Sequence, residues 1–235
     1  MFNTALVIMA RYPESGKTKT RLGRTVGNDR AANLYQAFLT DLAKRFAGQT
    51  YDLHWAYTPP EANFPTFIAK LAPFYAQYMT CFPQQGVDLG ARLHHAFKET
   101  HSRGFERTIL IGSDSPHINL ATIDNAYNAL DKADVVLGPA EDGGYYLIAM
   151  RQPHDVFTSV LMSTSVVCQQ TIELAQRQEL LVRLLQPLLD VDELPDLLRL
   201  AELLQENPIL APATAAHLRE ELNRKAVILS AAKKL

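Results

Sequence analysis

The chain has 235 residues, of which 47% are hydrophobic and 20% charged, so it can bury one sizeable core, and its length fits one folding unit better than two. A formal net charge of -2, with both signs interspersed, excludes a broad basic field for a nucleic-acid backbone and leaves any phosphate ligand to be bound locally. Cys81 and Cys168 lack the spacing of a zinc site or a disulfide framework, no export signal is visible, and no apolar run is long enough to span a bilayer; the expectation is a cytoplasmic protein with two core thiols.

In chain order, short apolar runs alternate with stretches of helical periodicity. Ala5–Ala10 reads as the first strand. Ala31, Leu34, Phe38, Leu42 and Phe46 then fall three or four apart and mark an amphipathic helix, followed by strands over Leu53–Tyr57 and Ala76–Phe82. Leu89, Leu93, Ala96 and Phe97 predict a helix, Thr108–Ile111 a strand, and Ile123, Ala126, Tyr127 and Leu130 another helix. Val135–Leu137, Tyr145–Met150 and Leu181–Leu185 read as the remaining strands. The alternation predicts a mostly parallel sheet covered on both faces, with ligands beyond the carboxyl ends of its strands. Leu194–Leu204 and Thr214–Leu229 are helix-like around the breaker Asn207-Pro208. The expected organisation is therefore a domain over residues 1–205 and a helical extension over 206–235. The extension can pack on the same domain or on a second subunit, which leaves a homodimer open, and Ala231–Leu235 is expected to fray.

The loops after strands carry the chemistry. Arg11 to Leu22 combines Gly and Pro punctuation with four cations: Gly16 lets backbone N–H groups approach a ligand, and Arg11, Lys17, Lys19 and Arg21 can neutralise phosphate, unless the segment is simply a solvated basic loop. Gly16-Lys17-Thr18 matches the end of a P-loop, but Arg11 stands at the first glycine of that pattern and Gly23 and Gly27 make a poor following helix. Gly112-Ser113-Asp114-Ser115-Pro116 places Asp114 at the carboxyl end of a central strand, where it can hold a divalent metal or cap the next helix.

Further along, Asp142-Gly143-Gly144 joins two apolar runs as a plain hairpin turn or as bare backbone for a substrate, with Asp142 accepting hydroxyl hydrogen bonds and Tyr145 and Tyr146 as a flat wall. Gly86, Asp88, Gly90 and Arg92 enter a helix from a loop whose N–H groups can meet a nucleotide, and Asp88 reads equally as an N-cap. Asp192, after the last strand, is the second candidate metal ligand, with an acidic helix start as the alternative. His94, His95, His101 and His117 show no metal-ligand pattern and read as surface or partly buried residues.

Taken in order, Pro13…Gly16-Lys17…Lys19-Thr20-Arg21-Leu22, Asp88-Leu89-Gly90…Arg92-Leu93, Gly112–Pro116, Leu137–Leu147 and Asp190-Val191-Asp192 resemble a bacterial family of GT-A-like glycosyltransferases, also called radical-SAM/selenodomain-associated or arsenosugar-biosynthesis transferases. The resemblance covers most of residues 1–200, and Gly138–Leu147 is its most specific part. It implies a three-layer α/β/α, Rossmann-like nucleotide-diphospho-sugar transferase fold and Mg²⁺ or Mn²⁺ as cofactor. By that similarity the first loop binds phosphates, Asp114 stands for the metal-binding acid of the D-x-D motif, and Asp142 to Tyr146, with Gly143, Gly144 and Tyr145, line the acceptor side. Met162 stands where the family commonly has Trp, and Pro116 where a partner acid would follow Asp114. The implied activity is metal-dependent transfer from a nucleotide-sugar to a small-molecule acceptor, with Asp114 and Asp142 as the catalytic residues, Asp114 on the metal and Asp142 as candidate base or acceptor clamp. A more remote similarity to phospholactate and molybdenum-cofactor guanylyltransferases keeps open nucleotidyl transfer from an NTP to a phosphorylated acceptor. A nucleotide-binding protein without turnover is the third reading.

Overall fold

A computed structural model describes residues 3–162 and 164–221. Strand β1 (Thr4–Arg11) is apolar on both sides because both of its faces are covered. Around it stand β2 (Asp52–Thr58), β3 (Met79–Pro83), β4 (Arg107–Ile111), β5 (Val135–Pro139), β6 (Tyr145–Met150) and β7 (Val182–Leu184), in the sheet order β3-β2-β1-β4-β6-β5-β7. Neighbours pair in parallel except at β6, which runs antiparallel to both β4 and β5.

The helices are α1 (Thr20–Val26), α2 (Asn28–Phe46), α3 (Phe64–Leu71), α4 (Leu89–Ser102), α5 (Leu120–Ala129), α6 (Val167–Arg177) and α7 (Leu194–Glu206). The period of two along β1 divides the core: Leu6 and Ile8 join Phe38, Ile123 and Leu200 of α2, α5 and α7, whereas Ala5 and Val7 join Phe97 and Ala175 of α4 and α6. Fully buried side chains such as Phe38, Phe46 and Trp55 each contribute roughly 1.5–3 kcal/mol through apolar burial. The result is the three-layer α/β/α arrangement, with a mostly parallel sheet whose carboxyl ends converge on one side.

Three local expectations change. The run Ala76–Phe82 is not one strand: Pro73–Tyr78 forms a 3-10 turn that buries none of its side chains, and only Met79–Pro83 joins the sheet. A helix does form over Thr20–Val26 despite its glycine, because Gly23 lets α1 lie against α2; a Cβ there would meet Asn28 Oδ1 at 2.6 Å. Gly27, at φ +97°, turns the chain between the two helices. His117 is buried rather than at the surface, its Nδ1 without a partner, and burial followed by the nearby Arg45 pushes its pKa down to about 4.

Buried Asp41 on α2 accepts from Ala213 N, Thr214 N and Thr214 Oγ1 at 2.7, 2.8 and 2.7 Å, and so caps helical residues 212–221 against the sheet-facing helix. Arg45 adds bonds to the carbonyls of Pro116 (2.5 Å), Ile118 (2.7 Å) and Leu210. The helix expected over Thr214–Leu229 is thus present as far as residue 221; its remainder, and the end expected to fray at Ala231–Leu235, lie outside the described residues.

Candidate active site

The carboxyl ends of β1, β2 and β4, with the hairpin tip between β5 and β6 and the segment before α7, line a cavity of about 800 Å³. In the loop after β1, the buried Thr18 hydroxyl donates to the Tyr12 carbonyl (2.9 Å) and accepts from Glu14 N (3.1 Å), curling the segment into a turn. Lys19 follows in the left-handed conformation, φ 50° and ψ 46°, a position that few residues other than glycine adopt. Its ammonium reaches Asp114 Oδ1 at 2.7 Å, Asp192 Oδ1 at 2.9 Å and the Val191 carbonyl at 2.5 Å, and the side chain is only 5% exposed. Burial alone would lower the Lys19 pKa, but Asp114 and Asp192 outweigh it and raise the value to about 12, so the group stays charged. Burial likewise works against the Asp192 carboxylate, yet Lys19 and Arg21, the latter 3.6 Å away, hold it below the usual carboxylate range.

A hydrogen-bonded circuit sets Asp114 in place. Ser113 Oγ donates to the Met9 carbonyl (2.9 Å), so the Tyr35 hydroxyl from α2 donates to Ser113 Oγ (2.7 Å) while it accepts from Arg11 N (3.1 Å). Burial, with Asp114 nearby, pushes the Tyr35 pKa up to about 12 and keeps the phenol neutral. On the other side of Asp114, Ser115 Oγ donates to the Leu189 carbonyl and Val191 N to the Asp114 carbonyl, which ties the end of β4 to the segment before α7.

The acids continue across the cavity. Asp142, exposed at the hairpin tip, accepts from Gly144 N at 2.8 Å, and its carboxylate lies with those of Asp190 and Asp192 so that oxygens of all three fall within 4.8 Å of one another. Asp190 carries the strain of this crowding: burial, then the charges of Asp142 and Asp192, push its pKa up to about 7. An all-oxygen set of this kind suits a hard divalent ion such as Mg²⁺ or Mn²⁺, and the Lys19 ammonium between Asp114 and Asp192 occupies a place that favours positive charge.

Of the cations expected at the phosphates, Arg11, Lys17, Lys19 and Arg21 all line the cavity, as does Arg92, while Gly16 does not. Asp114, Asp142 and Asp192 line it together with Gly144 and Tyr145. Gly143 faces away: its carbonyl accepts from Cys168 N (3.0 Å), and a Cβ, at its φ of +92°, would fall 2.0 Å from the Ser165 carbonyl oxygen. The Asp142-Gly143-Gly144 segment is thus a hairpin whose tip meets the cavity. Gly86, Asp88 and Gly90 also lie off the lining; Asp88 caps α4 by accepting from Ala91 N at 2.8 Å, Gly86 accepts from Arg92 Nε, and Gly90 packs on Phe157 and Met162. Sequence reasoning passed over Asp190, Tyr35 and Gln84 as site residues. The Asp-x-Asp spacing of 190 and 192 was the one available signal; the other two take their positions from tertiary contacts.

Residues 42–164 match the model of a family described as "Uncharacterized protein conserved in bacteria (DUF2064)". A crystal structure of a proposed nucleotide-diphospho-sugar transferase from Desulfovibrio desulfuricans G20 is 38% identical over 94% of this chain and 95% of that one, with a TM-score of 0.84. The chain belongs to this family. At fold level it is similar to 4-diphosphocytidyl-2C-methyl-D-erythritol synthase from Anaerococcus prevotii DSM 20548, 12% identical, covering 86% of this chain and 97% of that one at a TM-score of 0.56. It is similar in the same sense to a cytidylyltransferase from Leptospira borgpetersenii serovar Hardjo-bovis, 14% identical, covering 90% and 97% at a TM-score of 0.50. No curated protein matches the sequence. The fold is that of the nucleotide-diphospho-sugar transferases, and the relative at 38% identity supports a transferase. Among the described residues no helix is long and apolar enough to cross a membrane.

Proposed function

We propose that the protein transfers a glycosyl group from a nucleotide-diphospho-sugar to a small-molecule acceptor, in the cytoplasm, using Mg²⁺ or Mn²⁺. The observation that carries this reading is the Lys19 ammonium bridging Asp114 and Asp192, since it brings the cationic loop after β1, the acid after β4 and the acid before α7 to one point in the cavity. Asp114, Asp190 and Asp192 would hold the metal, and when bound it supplies charge neutralisation to a departing diphosphate. Lys17, Lys19 and Arg21 bind the phosphates, with Arg11 and Arg92 on the walls beside them. Tyr35 and Ser113 keep Asp114 oriented between β1 and β4. As the bond from the anomeric carbon to the diphosphate oxygen breaks, its electron pair leaves with the diphosphate. The acceptor hydroxyl forms the new bond and gives its proton to Asp142, the exposed acid at the hairpin tip. Residues 1–205 form the transferase domain in this reading, and 206–235 an extension whose described part, as far as residue 221, is held through Asp41 and Arg45.

A second reading is favoured by the four cations of one loop, which suit a triphosphate: attack of a phosphorylated acceptor on the α-phosphate of an NTP, with pyrophosphate leaving. Product analysis separates the two. With Mn²⁺, a nucleotide-sugar panel and a mixed acceptor pool, the expected product is a nucleoside diphosphate, lost in Asp114→Ala. Release of pyrophosphate from an NTP, with no nucleoside diphosphate formed from any nucleotide-sugar, would replace glycosyl by nucleotidyl transfer.

A further inference from the structure

Lys19 has two uses that exclude one another. As a phosphate ligand its ammonium belongs with Arg11, Lys17 and Arg21 on the cavity wall. It lies instead among the acids, 2.7 Å from Asp114 Oδ1, 2.9 Å from Asp192 Oδ1 and 2.5 Å from the Val191 carbonyl, with the side chain only 5% exposed. Three acceptors match the three hydrogens of an ammonium, so none is left over for a ligand. The other oxygen of Asp192, Oδ2, faces the Arg21 guanidinium at 3.6 Å, so this carboxylate is turned to the loop after β1 through both of its oxygens. Lys19 keeps a left-handed backbone, φ 50°, a conformation that persists in a residue with a side chain where the surrounding contacts over-determine it.

Under the proposed function the same two carboxylates hold the metal. A hard dication stands roughly 2.1 Å from its carboxylate oxygens, closer than an ammonium does, so the two cations would crowd one place and repel. We propose that Lys19 is a resident counterion: in the free protein its ammonium keeps the metal's place between Asp114 and Asp192, and it yields that place by moving to the phosphates of the incoming ligand. The exchange is complete only when both ligands are present, since the metal then satisfies the acids and the phosphates satisfy the ammonium. Either ligand alone leaves one partner of a buried ion pair unmatched, which is costly. Linkage makes the effect mutual, so that whatever draws Lys19 off the acids tightens the metal and the metal in turn frees Lys19 for the phosphates. The four-carbon stem of lysine lets the head travel without a change of backbone, and the other cations of the loop mark a destination on the same wall. The inference rests on the reading of Asp114 and Asp192 as metal ligands, and it adds how the metal is admitted.

The test is calorimetry of the full chain with Mn²⁺ alone and with inorganic tripolyphosphate in saturating Mn²⁺, on the wild type, Lys19→Met and Lys17→Met. Lys19→Met is expected to bind Mn²⁺ alone about tenfold more tightly than the wild type and to bind tripolyphosphate more weakly, so the two ligands move in opposite directions. Lys17→Met removes the same charge from the same loop, but that ammonium pairs with Glu14 at 2.8 Å, and its Mn²⁺ affinity is expected to change by no more than about twofold. A second readout needs no variant. Acylation of amines, followed by peptide mass spectrometry, is expected to spare Lys19 in the metal-free protein and to modify it once Mg²⁺ is saturating. Mn²⁺ affinity in Lys19→Met at or below that of the wild type would overturn the proposal, as would unchanged tripolyphosphate affinity or a Lys19 that stays protected with Mg²⁺ bound. An equal gain in Lys17→Met would also overturn it, because the cause would then be the general field of the loop. In each of those cases the metal site itself stands. Failure of all three proteins to bind Mn²⁺, with or without tripolyphosphate, would take down the metal reading and this inference together. If Lys19→Met does not fold, the acylation of the wild type decides alone.

Discussion

The two sides of the cavity hold similar acids in opposite electrostatic states. Around Lys19, Asp114 and Asp192 share a buried ammonium, whose pKa rises to about 12 while that of Asp192 falls. Around Asp190, three carboxylates crowd together, and burial followed by the charges of Asp142 and Asp192 raises the pKa of Asp190 to about 7. In the first cluster opposite charges are paired; in the second, which shares Asp192 with it, like charges crowd together. Such an arrangement is what a site that recruits a cation at its acid-rich end requires, because pre-organised repulsion is released when the cation arrives.

The strongest way to break the comparison is to remove the charge that completes the first side. Lys19→Ala leaves Asp114 and Asp192 without their shared ammonium, and although the chain is expected to fold, partial exposure of the two acids reduces the cost of a broken buried pair to about 2–3 kcal/mol. Urea denaturation reads that loss, and calorimetry with a nucleotide and Mn²⁺ is expected to show markedly weakened binding. Wild-type affinity in this variant would detach the loop after β1 from phosphate recognition.

The second side responds with the opposite sign. Asp190 has its pKa raised from 3.8 to about 7, so over that interval the folded state holds a proton that the unfolded state has lost, and stability from this group falls as pH rises from about 4 to 7. Asp190→Asn removes the penalty. It is expected to stabilise the metal-free protein at pH 8 by about 1–2 kcal/mol, a figure discounted for solvent screening, and to do almost nothing at pH 4. Thermal unfolding at the two pH values, with and without Mn²⁺, measures it: the metal should narrow the gap at pH 8 by stabilising the wild type more than the variant. Equal stability of the two proteins at pH 8 would mean that the acids are not in conflict.

Much of the first side was legible in the sequence, and little of the second. An apolar run followed by Gly, Pro and cations announces a strand and the loop at its carboxyl end, so β1 and the approach of Lys19 and Asp114 to that edge of the sheet could be placed from local pattern alone. Asp190 gains its character from burial and then from Asp142 and Asp192; Asp142 arrives on a hairpin tip far away in the chain, and no spacing rule encodes that approach. Tyr35 sits beside Leu34 in a helix whose period marks core positions, and nothing local says that its hydroxyl will tie Arg11 to Ser113. The helix over Thr20–Val26 was missed for a related reason: propensity counted Gly23 against it, whereas close packing on Asn28 requires Gly23.

The smallest expected effect lies at the loop before α4, where local pattern offered two uses for one residue. Asp88 accepts from Ala91 N at an exposed helix start, and replacing such a cap by Ala costs about 1 kcal/mol, while Asn, which can accept the same bond, costs a few tenths at most. With its carboxylate turned to the helix and off the cavity lining, Asp88 is expected to leave nucleotide affinity unchanged in both variants. Denaturation and calorimetry run on the same two proteins separate the uses: a cap shows as a stability loss in Ala that Asn restores. A ligand contact made through the charge would instead weaken binding in both, because Asn restores the hydrogen bond and leaves the charge missing. That outcome would move the loop from framing the cavity to lining it, and would extend ligand-facing charge beyond Arg92 onto the entry to α4.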